Sequence, residues 1–264
     1  AGQAAMPALN AAGVVLCVYS PLAVIFYELV LPHPYRVILA LTSAFAYIVA
    51  LMAASAVWIL VPARVSHPLM LVAIGAPVLE LGRYATYRVY ERVQGSVQSL
   101  RGAKAAASGR QSPAQRFAER MGAITALGFG ISAAHALLLT GRTVVSSALP
   151  GLQYHAGCSM SDQSLDALMA LAFVVLQMAW TVAAFLRTFP QPSVARWLLL
   201  VGSHALASAI TALPAVLPGR PWLACGGLTV PTLFGLAACV SVVALRAAWL
   251  DLEENVRLSR QLEQ

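Results

Sequence analysis

Six polar or ionisable side chains fall within otherwise apolar runs of this sequence: Glu28, Glu80, Arg83, His135, Gln177 and His204. At membrane depth such groups are costly to bury, and each is a functional hypothesis. Known intramembrane chemistries set the terms. A retinal Schiff base needs a lysine within a span, but the one lysine, Lys104, lies in a loop. An intramembrane aspartyl protease needs two aspartates at depth, whereas Asp162, Asp166 and Asp251 fall at span ends or in loops. No H-E-x-x-H zinc motif occurs. A serine protease must hold Ser and His together on different helices. Ser203 and His204 are sequence neighbours, and adjacent residues on one helix point apart. No set of residues supplies nucleophile, base and oxyanion donor together. The expectation is a chain without catalytic residues, metal site or cofactor.

Other roles for these groups stay open. Glu80 and Arg83, three residues apart, share a helix face and can pair, either as a structural ion pair or as a functional one. Glu28 lies near the end of its span, where its carboxylate can reach the headgroups. His204, deep in Val201-Gly202-Ser203-His204-Ala205, suits a packing hydrogen bond and a functional role equally.

The elements that must position these residues follow from composition. The chain has 264 residues, 59% hydrophobic and only 10% charged, against roughly 25% charged residues in soluble domains. A soluble enzyme, a disulfide scaffold and a disordered chain are thereby excluded. Seven stretches are long enough to cross the hydrocarbon core: Ala8–Val30, Val37–Val61, Leu69–Tyr90, Met121–Leu139, Leu165–Phe185, Val194–Leu213 and Leu223–Trp249. Lipid offers the backbone no hydrogen-bond partner, so each must be helical. The fold class is all-α, a single polytopic domain over 1–264 with seven transmembrane helices. Ala8–Val30 has no basic region ahead of it and reads as a first span rather than a cleavable signal. Pro77 is expected to kink the third span. The segment Glu91–Arg120 reads as a basic loop, and 251–264 as a tail that extends the last helix.

The net charge of +7 does not point to nucleic acid. The cations lie at the ends of apolar runs, not in a stripe among aromatics, and no nucleic-acid motif is present. With the N-terminus placed in the lumen, 14 of the 17 Lys and Arg residues are cytosolic, leaving Arg64, Arg142 and Arg220 on the luminal side. The excess of cytosolic cations sets the orientation: N-terminus luminal, C-terminus cytosolic. The four cysteines are too few and scattered for a disulfide framework. Cys158 and Cys225 fall on the same luminal side, and whether they pair stays open.

The fourth span carries a packing signal. Gly122, Ala126, Gly130 and Ala134 recur every four residues, which puts them on one helix face. Such strips let backbones approach closely in lipid. Similar strips occur at Ala46-Ala50-Ala54 and Ala205-Ala209. The small-residue faces on spans two to four are expected to receive partner helices.

Several segments, in one order from about Ser20 to Ala248, resemble the anterior pharynx defective 1 family, the scaffold subunit of gamma-secretase. Ser20-Pro21 precedes Pro34. The run from Arg36 to Tyr47, continued through Ala54-Ser55-Ala-Val-Trp58, is similar to the family's second span. Glu80-Leu-Gly-Arg83-Tyr84-Ala85, with Tyr87, is similar to the end of its third. Ser112-Pro113 precedes span four, and Phe129-Gly130-Ile131 matches the centre of a glycine motif there. Val201-Gly202-Ser203-His204 with Ala207-Ser208 is similar to the sixth-span histidine segment. The resemblance implies a non-catalytic subunit that holds together presenilin, nicastrin and presenilin enhancer 2. It also implies residence in the endoplasmic reticulum, Golgi, endosomes and plasma membrane, and a part in Notch signalling. Ala126 and Ala134 replace the outer glycines of the motif, and Gln177 stands where the family has its fifth-span histidine. A Gln177–His204 hydrogen bond is the expected contact between spans five and six. Two other readings remain, a heptahelical receptor or sensor and an intramembrane hydrolase.

Overall fold

A computed structural model describes residues 2–60, 68–105, 112–147, 161–216 and 227–262. Among them are seven long helices: α1 (Gly2–Ile25), α2 (Pro34–Ile59), α3 (Pro68–Ala105), α4 (Pro113–Ser147), α5 (Asp162–Ala183), α6 (Val194–Val216) and α7 (Thr229–Leu262). No strand occurs among the described residues. Six helices are long and apolar enough to cross a membrane. The exception, α3, carries Glu80 and Arg83 at mid-length.

Helix boundaries follow local chemistry. Pro34 opens α2 from the extended His33, where a missing amide proton costs nothing. Ser112 and Gln115 form a reciprocal capping box at the start of α4: each side chain accepts the other's backbone N–H, at 3.2 and 3.0 Å. Ser161 accepts the Ser164 N–H at the start of α5, and Ser193 accepts that of Arg196 at the start of α6. α1 and α5 each run into one wider π-turn, Phe26–Val30 and Ala184–Thr188. Pro77 lies inside α3 without ending it.

The stretch expected as a loop over 91–120 is helical at both ends, to Ala105 and from Pro113. Its Ala, Gln, Arg and Lys residues are strong helix formers, and no proline interrupts them before Pro113. α7 likewise continues through the expected tail as far as Leu262. Cys158 and Cys225 lie outside the described residues.

α4 and α5 form the centre of the bundle. They bury 56% and 61% of their spans, against 22% to 28% for the other four apolar helices. α2 packs on α4 and on α3, α3 on α6, α7 on α5, and α1 against both central helices. The largest apolar cluster threads α3, α4, α5 and α7 through Tyr87, Leu127, Phe173, Trp180, Phe185 and Leu233.

Candidate functional site

Four of the polar residues picked out above meet at the heart of this bundle. Glu80, Arg83, Gln177 and His204 are all buried, none more than 3% exposed. Because α3 places Arg83 three residues after Glu80, its fork turns back onto the carboxylate. Arg83 Nε donates to Glu80 Oε2 at 2.9 Å and Nη2 to Oε1 at 3.3 Å. The rest of the guanidinium is taken up by α5: Gln177 Oε1, the Gln177 carbonyl at 3.3 Å and the Thr181 hydroxyl. From α6, His204 Nδ1 donates to Glu80 Oε1 at 2.6 Å.

This corrects the expected direct Gln177–His204 bond. The two residues meet through the Glu80–Arg83 pair instead. Arg83 offers five donors and Glu80 several acceptor sites, so the charged pair outcompetes a neutral amide for both neighbours. Arg83, counted among the cytosolic cations, is thus enclosed in the bundle.

The network extends to His135, another of the polar residues picked out above, and to Tyr47, which sequence reasoning passed over. Because arginine can only donate, Gln177 Oε1 is fixed as the acceptor, and its Nε2 faces the other way. That amide donates to Tyr47 Oη at 3.5 Å and to His135 Nδ1 at 3.4 Å. The Tyr47 hydroxyl donates to the same imidazole nitrogen. His135 Nδ1 is therefore the acceptor and the proton sits on Nε2, which is buried without a partner. One connected chain of hydrogen bonds now joins α2, α4, α5, α3 and α6.

α5 organises both histidines. Phe173, Gln177, Trp180 and Thr181 fall at i, i+4, i+7 and i+8, one helix face. Phe173 stacks on His135 with centroids 4.8 Å apart, and Trp180 on His204 at 4.5 Å. The Trp180 indole N–H donates to Ser203 at 3.0 Å. This spacing was readable in the sequence; what it faced was not.

The arrangement holds charge in place. The Glu80 carboxylate receives three charged or imidazole donors, and Arg83 spends its donors on fixed protein acceptors. Taking one member of such a buried pair away costs about 3–5 kcal/mol. Among the described residues, no three His, Cys, Asp or Glu side chains converge as a metal site requires. Glu28 is exposed on the π-turn that ends α1.

The small-residue strip of α4 is also occupied, and from within the chain. Gly130 lies against the Ala40 carbonyl and the Ser43 hydroxyl. Ser43 donates to the Leu127 carbonyl at 2.8 Å. Ala126 packs with Ala40 and Val30, and Ala134 with Tyr47 and Ala50. The expectation that this face receives a partner helix is corrected: α2 fills it, because its Ala40, Ser43, Tyr47 and Ala50 form a matching stripe. Gly122 has a different cause. A Cβ there would run into the Arg36 guanidinium, whose Nη1 caps the Leu29 carbonyl at 2.9 Å. Ala50 meets Gly82 of α3, and Ala54 is buried while Ala46 is partly so. On α6 the fully buried position is Ala207, with Ala205 and Ala209 half-buried beside it.

Among curated proteins, none matches the chain as a relative. A family model described as Aph-1 protein matches residues 9–249, nearly the whole length. Covering far more than half of a chain that folds as a helical membrane bundle, that match places this chain in the Aph-1 family, a membrane component of gamma-secretase.

Proposed function

We propose that this chain is the non-catalytic scaffold and assembly subunit of its gamma-secretase complex, with its N-terminus in the lumen and its C-terminus in the cytosol. Its partners in this reading are presenilin, nicastrin and presenilin enhancer 2. The supporting observation is the polar network itself. Its buried charges are spent on holding α2 to α6 in register, which suits a frame better than a reaction centre. The α4 strip contributes indirectly: it clamps α2 against α4, and the outward apolar faces of that frame are left for partner spans.

Mild-detergent purification of the full chain followed by mass spectrometry of bound proteins tests this reading. Recovery with presenilin and nicastrin in constant proportion is the expected result. A chain that purifies alone from native membranes, or one that cleaves substrate by itself, overturns it.

A further inference from the structure

The turns that join α1 to α2 and α5 to α6 are built alike. In each, the first helix ends in a π-turn, Phe26–Val30 or Ala184–Thr188. The next N–H closes that turn at 2.8 Å, Leu31 onto the Phe26 carbonyl and Phe189 onto that of Ala184. A Pro-x-Pro corner follows, Pro32-His33-Pro34 or Pro190-Gln191-Pro192. The third residue of the following helix is then an arginine, Arg36 of α2 or Arg196 of α6. Its Nη1 reaches back to the fourth residue of the π-turn. Arg36 donates to the Leu29 carbonyl at 2.9 Å and Arg196 to the Arg187 carbonyl at 3.0 Å. Arg196 also holds the corner itself, through the Gln191 carbonyl at 2.8 Å and Oε1 at 3.3 Å.

Position and chemistry give this repeat a task. The last carbonyls of a helix have no partner within it, and the helix dipole favours a cation beside them. In the first turn of its own helix an arginine is disfavoured by that helix's dipole. Arg36 and Arg196 therefore serve the helix before them, not the one that carries them. Nor do the joined helices hold each other closely. Among the described residues, the backbones of α1 and α2 do not pack along their length, and α5 reaches α6 through the long Trp180 side chain, onto Ser203 and His204. A third helix seats in each fork: α4 packs on both α1 and α2, and α7 on both α5 and α6. Phe129 of α4 stacks on Phe26 of the first arm at 5.7 Å, while Gly130 meets Ala40 of the second. At the corner, Gly122 of α4 lies against the Arg36 guanidinium, which puts that side chain on the inner side of the fork.

We propose that Arg36 is a corner lock: bound to Leu29, it fixes how far α1 and α2 diverge and so keeps α4 seated in the cleft between them. The repeat at Arg196 is its counterpart, in a fork that Trp180 already braces. The lock belongs to this chain's own fold and stands whichever partners the chain assembles with.

The test uses the full chain, with its co-purifying subunits, in phosphatidylcholine nanodiscs. Spin labels go on genetically encoded ketone residues, which spares the native cysteines. Val15 and Met52, both exposed, report on the α1–α2 fork, and Val175 and Leu206, also exposed, on the α5–α6 fork. Val15 lies 14 residues from Leu29. That is about 21 Å along the helix, so about 10° of opening moves the label by about 4 Å. In Arg36→Gln, whose side chain is too short to span the corner, dipolar electron resonance should show the Val15–Met52 distance longer by about that much. Gly122→Ala keeps the arginine but displaces its guanidinium, and should give the same shift. Arg196→Gln should leave Val15–Met52 unchanged, as should Gly141→Ala, where a Cβ on the same α4 meets nothing within 4 Å. Val175–Leu206 should stay constant in Arg36→Gln and Gly122→Ala. If Arg36→Gln fails to fold, Gly122→Ala carries the comparison. An unchanged Val15–Met52 distance overturns the lock. So does an equal change in both forks, or an equal effect of Gly141→Ala, since either means a general loosening of the bundle.

Discussion

The contact between α2 and α4 makes a sharp numerical prediction at Gly130. A methyl group added there would fall inside the van der Waals shell of the Ala40 carbonyl oxygen and Ser43 Oγ, and 2.8 Å from the Ala40 carbonyl carbon. Backbone cannot swing aside as a long side chain does, so α2 must retreat as a unit. Overpacking of this kind costs about 1–3 kcal/mol. The retreat also stretches the Ser43–Leu127 bond, worth about 0.6 kcal/mol in a membrane. Gly202 on α6 supplies the control, because a Cβ there meets nothing within 4 Å. Both Gly→Ala changes gain the same helix propensity, about 0.5–1 kcal/mol, so the difference between them isolates the clash. Gly130→Ala should be less stable than Gly202→Ala by about 2–4 kcal/mol. Unfolding in mixed micelles, followed by circular dichroism against the mole fraction of dodecyl sulfate, measures it. If the two variants unfold together within about 0.5 kcal/mol, a margin near that of one exposed substitution, the α2–α4 contact does not bear on stability and the reasoning fails.

Arg83→Leu strands Glu80 and should cost about 3–5 kcal/mol, while Glu80→Leu/Arg83→Leu recovers part of that loss; a double variant worse than the single refutes the pairing. Gln177→Leu and His204→Ala, measured singly and together by the same unfolding assay, should be non-additive by about 0.5–2 kcal/mol through the intervening ion pair. Strict additivity would cut that link. Replacing each histidine by phenylalanine should hurt more at His204, which serves a buried carboxylate, than at His135, where an unpartnered N–H is removed along with the two neutral hydrogen bonds that Nδ1 accepts. Thermal scans of the two variants decide the order. Arg120 meets Asp251 at 2.9 Å with 38% of its side chain exposed, so Arg120→Gln should shift stability by less than about 1 kcal/mol.

Glu80, Arg83, Gln177 and His204 were legible because a charge or amide inside an apolar run stands out whatever the fold. Tyr47 and Thr181 were not, since hydroxyl groups are common in spans and only tertiary register decides which of them faces an arginine. His135 was visible as polar, yet its partners come from α2 and α5, whose rotation about their axes no single sequence reports. The strip on α4 shows the same limit. Spacing revealed that a close approach occurs there, but whether α2 or another chain makes it depends on topology. Gly122 illustrates it most sharply, since the neighbour that requires its missing side chain is Arg36, distant in sequence. The helical extension through Ala105 was hidden by charge: polar residues read as loop when a helix leaves the membrane.

The buried pair on α3 also constrains the order of biosynthesis. Gln177 and Thr181 follow Arg83 by 94 and 98 residues, and His204 follows Glu80 by 124. At about 5–20 residues per second, the arginine emerges several seconds before α5, which supplies its remaining acceptors, exists. Glu80, one turn earlier on the same helix, pairs with it without waiting for another helix. Spacing the two charges by three residues thus gives the nascent third helix a self-neutralised state in which to wait at the insertion machinery until its neighbours arrive.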